Sequence, residues 1–246
     1  MVTEAIILAG GEGKRLNSVI SDRPKPMAEV ARRPFVEWLI LQLRAQGIRR
    51  VVLGTVYKAE MLAKYFESGS RWEMEITISN ESVPLGTAGA LRLALGKTSS
   101  NPVLAMNGDS YCRFNLECLA NSHAISGARV TLWLVPMQDC TRYGSVEVAS
   151  GGEVTAFHEK SSTPRPGLIS AGVYLLDRSV AADIPGDHMV SLEREFFPAL
   201  IGKGIYSVVG SGPFLDIGTP ESYREAANVL SEEFKQLVAP PLGEDL

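Results

Sequence analysis

Ala5-Ile6-Ile7-Leu8-Ala9-Gly10-Gly11-Glu12-Gly13-Lys14-Arg15-Leu16 is the stretch on which the fold turns: a short apolar run passes directly into a glycine-rich loop. The run from Ala5 to Ala9 predicts a buried strand. Glycines placed immediately after a strand let backbone N–H groups approach an anion closely. Two familiar phosphate motifs fail here. Walker A requires glycine at position 8, where Leu8 stands, and the dinucleotide fingerprint requires a small residue at the position of Leu16. The loop carries two cations instead, Lys14 and Arg15. A guanidinium on such a loop can clamp phosphate oxygens in a bidentate manner and stabilise charge building on a phosphate leaving group. Taken alone, the loop fits a tight turn with solvated charges equally well.

Working outward, β-branched apolar runs alternate with amphipathic segments, the pattern of an α/β protein with a mostly parallel sheet. Pro34 to Gln46 predicts a helix burying Phe35, Trp38, Leu39 and Leu43 and ended by Gly47. Val51 to Thr55, Ile76 to Ser79 and Val103 to Met106 read as strands, Ala59 to Phe66 and Thr87 to Leu95 as helices. The second half is less regular. Val130 to Val135 and Gly172 to Leu176 read as strands, with hairpin character around Ser150-Gly151-Gly152 that suits a lid or substrate lobe. Leu192 to Ile201 and Glu221 to Leu230 read as helices. One domain over residues 1–232 is expected, followed by a loose tail over 233–246.

Composition removes several function classes. Of 246 residues, 45% are hydrophobic and 21% charged, which is ordinary for a soluble globular protein. A net charge of -4 gives no electrostatic footprint for nucleic acid. Cys112, Cys118 and Cys140, with His123, His158 and His188, lack metal-site spacing and indicate neither a disulfide framework nor structural zinc. No basic leader or membrane-length apolar run is visible, so a cytoplasmic protein without a membrane partner is expected.

Three further elements carry chemistry. Pro24-Lys25-Pro26 stiffens the backbone around one lysine, as a phosphate-contacting cation needs. Asp109 in Asn107-Gly108-Asp109-Ser110 and Asp216 in Phe214-Leu215-Asp216-Ile217-Gly218 each end an apolar run. Two carboxylates converging beside a triphosphate suit Mg²⁺, which takes few protein oxygens and keeps water and phosphate ligands. His158-Glu159-Lys160, with Ser170-Ala171-Gly172, offers an acceptor for sugar hydroxyls, a cation for a phosphate and a close backbone approach. Each also has a plainer reading, as a solvated lysine, a turn aspartate or an exposed ion pair.

Taken together and in order, these elements resemble the sugar-1-phosphate nucleotidyltransferase family, over Ala5 to about Ala227. Pro84 to Ala90, Ala171-Gly172-Val173-Tyr174 and Phe214 to Pro220 extend the likeness. The resemblance implies a Rossmann-like three-layer sandwich with a smaller sugar-binding lobe, the nucleotide-diphospho-sugar transferase type. It implies catalytic roles for Arg15, Lys25 and Asp109, and Mg²⁺ held by Asp109 and Asp216. Leu8, Ala9, Gly10, Gly11, Gly13, Lys14, Glu81, Gly86 and Thr87 would surround the nucleotide. Asn107, Tyr143, Gly144, Glu159, Lys160 and Gly172 would surround the sugar phosphate. Two departures stand out: Lys14 replaces the usual Thr, and Ser161 follows Glu159-Lys160 where Pro is common.

Within the family, Ser21 to Met27, Ser191-Leu192-Glu193 with Phe196-Phe197-Pro198, and Asp216 to Pro220 look most like heptose 1-phosphate guanylyltransferases. That likeness implies GTP and heptose 1-phosphate as substrates, and surface-polysaccharide synthesis as the destination. Mannose 1-phosphate guanylyltransferase and glucose 1-phosphate thymidylyl-, uridylyl- or cytidylyltransferases are the neighbouring readings. A nicotinamide-dependent oxidoreductase lacks its fingerprint here, and a non-enzymatic nucleotide sensor would have lost the charged set. A homo-oligomer stays open.

Overall fold

Strand β1 (Glu4–Leu8) has its two faces in different cores: Ala5 and Ile7 point into one, Ile6 into the other. Full burial of successive residues is what a central strand covered by helices on both sides requires. The computed structural model describes residues 2–11, 22–160, 162–186 and 188–235. After β1 come a small ribbon of β2 (Glu29–Val30) and β3 (Arg33–Pro34), then α1 (Phe35–Ala45), β4 (Arg50–Thr55), α2 (Ala59–Phe66) and β5 (Glu75–Asn80). Next are α3 (Gly86–Leu95), β6 (Val103–Asn107), β7 (Ser110–Cys112), α4 (Leu116–Ser126) and β8 (Val130–Met137). The chain continues through β9 (Ser145–Val148), β10 (Val154–His158), β11 (Gly167–Leu176), α5 (Phe197–Ala199), β12 (Ile205–Val209), β13 (Phe214–Asp216) and α6 (Pro220–Glu233).

The first half builds a parallel sheet in the order β6-β1-β4-β5. Moving from β1 through β4 to β5, then crossing back by α3 to β6, creates a switch point at the carboxyl ends of β1 and β6. That is where open α/β sheets bind ligands. Helices α1, α2, α4 and α6 cover one face, α3 and α5 the other, giving the expected three layers with a mostly parallel centre. The antiparallel pairs gather around β11.

Strand β11 runs from Gly167, five residues earlier than its apolar stretch predicts, because its pairing changes partway along. One edge pairs throughout with β8; the other pairs with β9 through Leu168 and Ile169 and with β6 through Val173 to Leu176. The register against β8 shifts between Ser170 and Tyr174, around Gly172 at φ +72°. A bulge here opens the sheet between the parallel half and the hairpin of β9 and β10.

One helical reading is altered and one helix was not foreseen. Leu192–Phe196 is a π-helical turn in which the Phe197 N–H donates to the Leu192 carbonyl, followed by the short α5. Pro198 has no N–H to continue the ordinary ladder, and the backbone widens by one residue. Helix α4 has no counterpart in the periodic reading, since few of its positions face the core, although Asn115 caps it through the Cys118 N–H.

The α1 carboxylate of Glu37 is fully buried and accepts hydrogen bonds from Arg33, the Tyr65 hydroxyl and the Trp72 indole. Removing it strands three donors, that of Trp72 in the core and those of Arg33 and Tyr65 at its edge. Glu37→Ala is expected to cost about 3 kcal/mol of stability. Glu37→Gln, which keeps an acceptor oxygen, should lose less. Urea unfolding midpoints of the two variants check the order.

Candidate active site

Lys25 is the hub of the site. The turn Lys25–Met27 is closed by the Met27 N–H on the Pro24 carbonyl at 2.8 Å and the Ala28 N–H on the Lys25 carbonyl at 3.0 Å. The flanking prolines thus hold a side chain that is only 7% exposed. Its Nζ donates to Asp109 Oδ2 at 2.9 Å and lies 3.5 Å from Asp216 Oδ1. An ammonium this buried needs such partners, since desolvating it alone costs several kcal/mol.

Two backbone devices bring the aspartates together. The Gly108 N–H donates to the Leu8 carbonyl at 2.9 Å, and a Cβ on Gly108 would stand 2.8 Å from that same oxygen. Glycine therefore lets β6 deliver Asp109 alongside the end of β1. Asp216 arrives on the antiparallel ribbon of β13 and β7, where it is the register partner of Ser110, next to Asp109. Its Oδ1 also accepts the Gly218 N–H at 2.7 Å. Arg142 Nη2 reaches Asp216 Oδ2 at 3.3 Å, so its charge is answered from two sides.

Two cavities meet at this hub. The smaller, of about 190 Å³, has Leu8, Gly11, Lys25 and Thr87 on its wall. The larger, of about 440 Å³, is lined by Tyr143, Gly144, Glu159, Lys160 and Gly172 among others. Asn107, Asp109 and Glu193 border both. The residues expected around a sugar phosphate therefore face one space, and several of those expected around a nucleotide face the space beside it. Gly172 matters sterically: a Cβ there would come within 2.8 Å of the Asn107 amide nitrogen.

The remaining residues are placed as follows. Ala9 is buried and its N–H donates to the Gly54 carbonyl at 2.7 Å. Glu81 is 5% exposed; its Oε2 accepts the Leu85 N–H at 2.9 Å, and burial raises its carboxyl above the usual range. The Cβ position of Gly10 is 3.5 Å from Glu81 Oε1, tying the loop after β1 to this group. Gly86 opens α3 against Val190, and Thr87 Oγ1 accepts the Leu192 N–H at 2.8 Å, so both brace the turn that carries Glu193. Gly13, Lys14 and Arg15 lie outside the described residues, as does Ser161.

Sequence reasoning assigned no role to Tyr174, Glu193, Arg142 or Arg194. Tyr174 is fully buried, and its hydroxyl donates to Glu193 Oε1 at 3.0 Å. The protein around Glu193 raises its carboxyl above the usual range, against the lowering effect of the Tyr174 hydrogen bond. The sequence signals were the stretches Ala171-Gly172-Val173-Tyr174 and Ser191-Leu192-Glu193, which carried family likeness without a role for either side chain.

Two carboxylates, one in the turn between β6 and β7 and one on β13, lie within reach of one cationic atom, and with Asp109 half exposed they form a donor set that suits a hard divalent cation completed by water and phosphate oxygens. No cluster of three or more carboxylate, imidazole or thiol groups occurs among the described residues, so substrate oxygens would complete such a shell. One buried cation, paired carboxylates and a glycine-lined switch point make an arrangement able to orient phosphates and neutralise them.

A profile of the nucleotidyl transferase family matches residues 4–233. A D-glycero-alpha-D-manno-heptose 1-phosphate guanylyltransferase of Aneurinibacillus thermoaerophilus is 38% identical over 92% of this chain and 98% of its own length. A mannose-1-phosphate guanylyltransferase of Mycobacterium tuberculosis is 37% identical over 89% of the chain, which spans 62% of that relative. HddC from Yersinia pseudotuberculosis, solved in complex with GMP-PN, aligns with a TM-score of 0.81 at 31% identity, over 92% of this chain and 99% of that one. The matched span takes in β1, the lysine turn, both aspartates and α6, and the chain belongs to the nucleotidyl transferase family.

Proposed function

We propose that this protein transfers a guanylyl group from GTP to D-glycero-D-manno-heptose 1-phosphate, forming GDP-heptose and pyrophosphate. The observation that carries the reading is the meeting of two cavities at Lys25, Asp109 and Asp216. A two-substrate phosphate reaction needs such a junction. The relatives named for heptose and GTP chemistry, matched over nearly their whole length, support the choice of sugar and base. Delivery of the product to surface polysaccharide, in the cytoplasm, belongs to the same proposal. Among the described residues no helix is long and apolar enough to cross a membrane.

In this mechanism an oxygen of the sugar phosphate attacks the α-phosphorus in line. A new P–O bond forms as the bond from the α-phosphorus to the bridging oxygen breaks, and that oxygen leaves with its electron pair in pyrophosphate. The nucleophile is already an anion, so no general base is needed and positioning with charge neutralisation dominates. Lys25 supplies a pre-oriented ammonium at the junction. Lys160 answers the sugar phosphate, and Glu159, with the Gly172 backbone, orients the sugar. Gly10, Gly11 and Thr87, with Glu81 and Gly86 bracing them, hold the nucleotide. Arg15, Lys14 and Gly13 keep the nucleotide and leaving-group roles inferred from their loop. Asp109 and Asp216 would hold a divalent cation, Mg²⁺ in this reading, which supplies charge neutralisation at the phosphate oxygens.

The test is a pyrophosphate-release assay crossing GTP, ATP, UTP, CTP and dTTP against heptose, mannose and glucose 1-phosphates, with and without Mg²⁺. Turnover with GTP and heptose 1-phosphate is expected. Preference for mannose 1-phosphate would transfer the assignment to the neighbouring guanylyltransferases, and inactivity with every pair would reject it. Lys25→Ala should lower kcat by roughly 10²–10³, the scale of one preorganised electrostatic donor. Asp109→Ala should abolish Mg²⁺-dependent turnover while circular dichroism stays that of the parent protein; wild-type rates in the purified variant would remove Asp109 from the metal site.

A further inference from the structure

We infer that Glu193 is a specificity-determining residue of the sugar site, accepting hydrogen bonds from hydroxyl groups of the sugar 1-phosphate; the inference rests on the transferase reading above. Glu193 borders both cavities, at the seam where the two substrates would meet. The cations on the larger cavity, Lys160 and Arg194, suit the phosphate end of a sugar phosphate. A polyol ring needs the opposite kind of group, an acceptor; of the four carboxylates on this cavity Asp109 and Asp216 are paired with Lys25, which leaves Glu159 and Glu193. Both are exposed, and they differ in how they are held. The Glu159 side chain is 72% exposed and faces Arg194 at 3.8 Å, as a rim pair does.

Glu193 is fixed from behind. Tyr174, with no exposed surface, donates its hydroxyl to Glu193 Oε1 at 3.0 Å, and the same hydroxyl lies 3.5 Å from Asn107 Oδ1. The π-helical turn that carries Glu193 is pinned at its start by the Leu192 N–H on Thr87 and by the Ser191 N–H on Glu195 Oε1. A carboxylate aimed into a cavity by a buried tyrosine, with the Asn107 side chain as a second hydrogen-bond partner and the Lys160 charge nearby, still has lone pairs left for a ligand donor, since a carboxylate offers about four acceptor sites. Membership of the metal centre is a poorer fit, because no three carboxylates come together among the described residues. A phosphate is a poorer fit still, since two anions would face each other.

The test is steady-state kinetics of Glu193→Ala, Glu193→Gln and Tyr174→Phe with GTP and the best sugar 1-phosphate of the crossing assay. Analogues of that sugar phosphate, each lacking one hydroxyl, are assayed alongside. Glu193→Ala should raise KM for the sugar phosphate roughly 10- to 100-fold, the size of one hydrogen bond to a charged group, with KM for GTP unchanged. Glu193→Gln, which keeps a carbonyl acceptor, should recover part of the loss, and Tyr174→Phe should show a smaller rise of the same kind. The wild type should penalise one deoxy analogue to which Glu193→Ala is indifferent. An unchanged KM for the sugar phosphate in Glu193→Ala, or full discrimination among the analogues by that variant, overturns the assignment while leaving the transferase reading intact. A wild type inactive with every substrate pair overturns the transferase reading and this one with it.

Discussion

The buried ammonium of Lys25, held between Asp109 and Asp216, is the contact on which the site depends. These three groups come from a proline-stiffened turn, the end of a parallel strand and a two-stranded ribbon, separated by up to 191 residues of chain. The lysine depends most on the pairing, because an ammonium withdrawn from water must be matched by nearby negative charge. The same match sets a tension. Charges that balance one another in the absence of ligand are, in the proposed reaction, also the charges that phosphates and a divalent cation would compete for, so substrate binding would rearrange an electrostatic balance already present.

The second constraint is geometric. Strand β11 shares one edge between β6 and β9, and the bulge at Gly172 marks the change of partner. A continuous sheet at this point would have brought the strands together along their length and left no room for a ligand. The interruption sets the hairpin of β9 and β10 apart from the parallel half and opens the larger cavity between them. Backbone conformation at one residue thus shapes the wall of the larger cavity, while Asn107, packed against Gly172, borders both cavities.

Local reading reached far in the first half of the chain because β1, β4 and β6 are short and buried on both faces, and β4 and β5 are each followed by a helix with an apolar face. The predicted Ala59 to Phe66 helix is α2, and the predicted strand after Gly47 is β4 to within one residue. It reached less far where structure depends on distant partners. Helix α4 presents few residues to the core, β13 exists only by pairing with β7, and the early part of β11 only by pairing with β8 and β9. Pairing energy of that kind leaves no periodic trace in a single segment.

Sequence alone determined the α/β architecture, the family and the identities of the charged groups around the junction, since strand burial, glycine-rich turns and proline flanks are local properties written in neighbouring residues. The tertiary structure alone decided that Asp216 stands beside Asp109, because the register of the β7–β13 ribbon sets that proximity across more than 100 residues. It alone singled out Glu193, whose surroundings are made by Tyr174, Thr87 and Asn107 from three other elements. Composition and spacing say which chemical groups a chain possesses; only the closing of the sheet, driven by burial of its two apolar faces, says which of them share the same few ångströms.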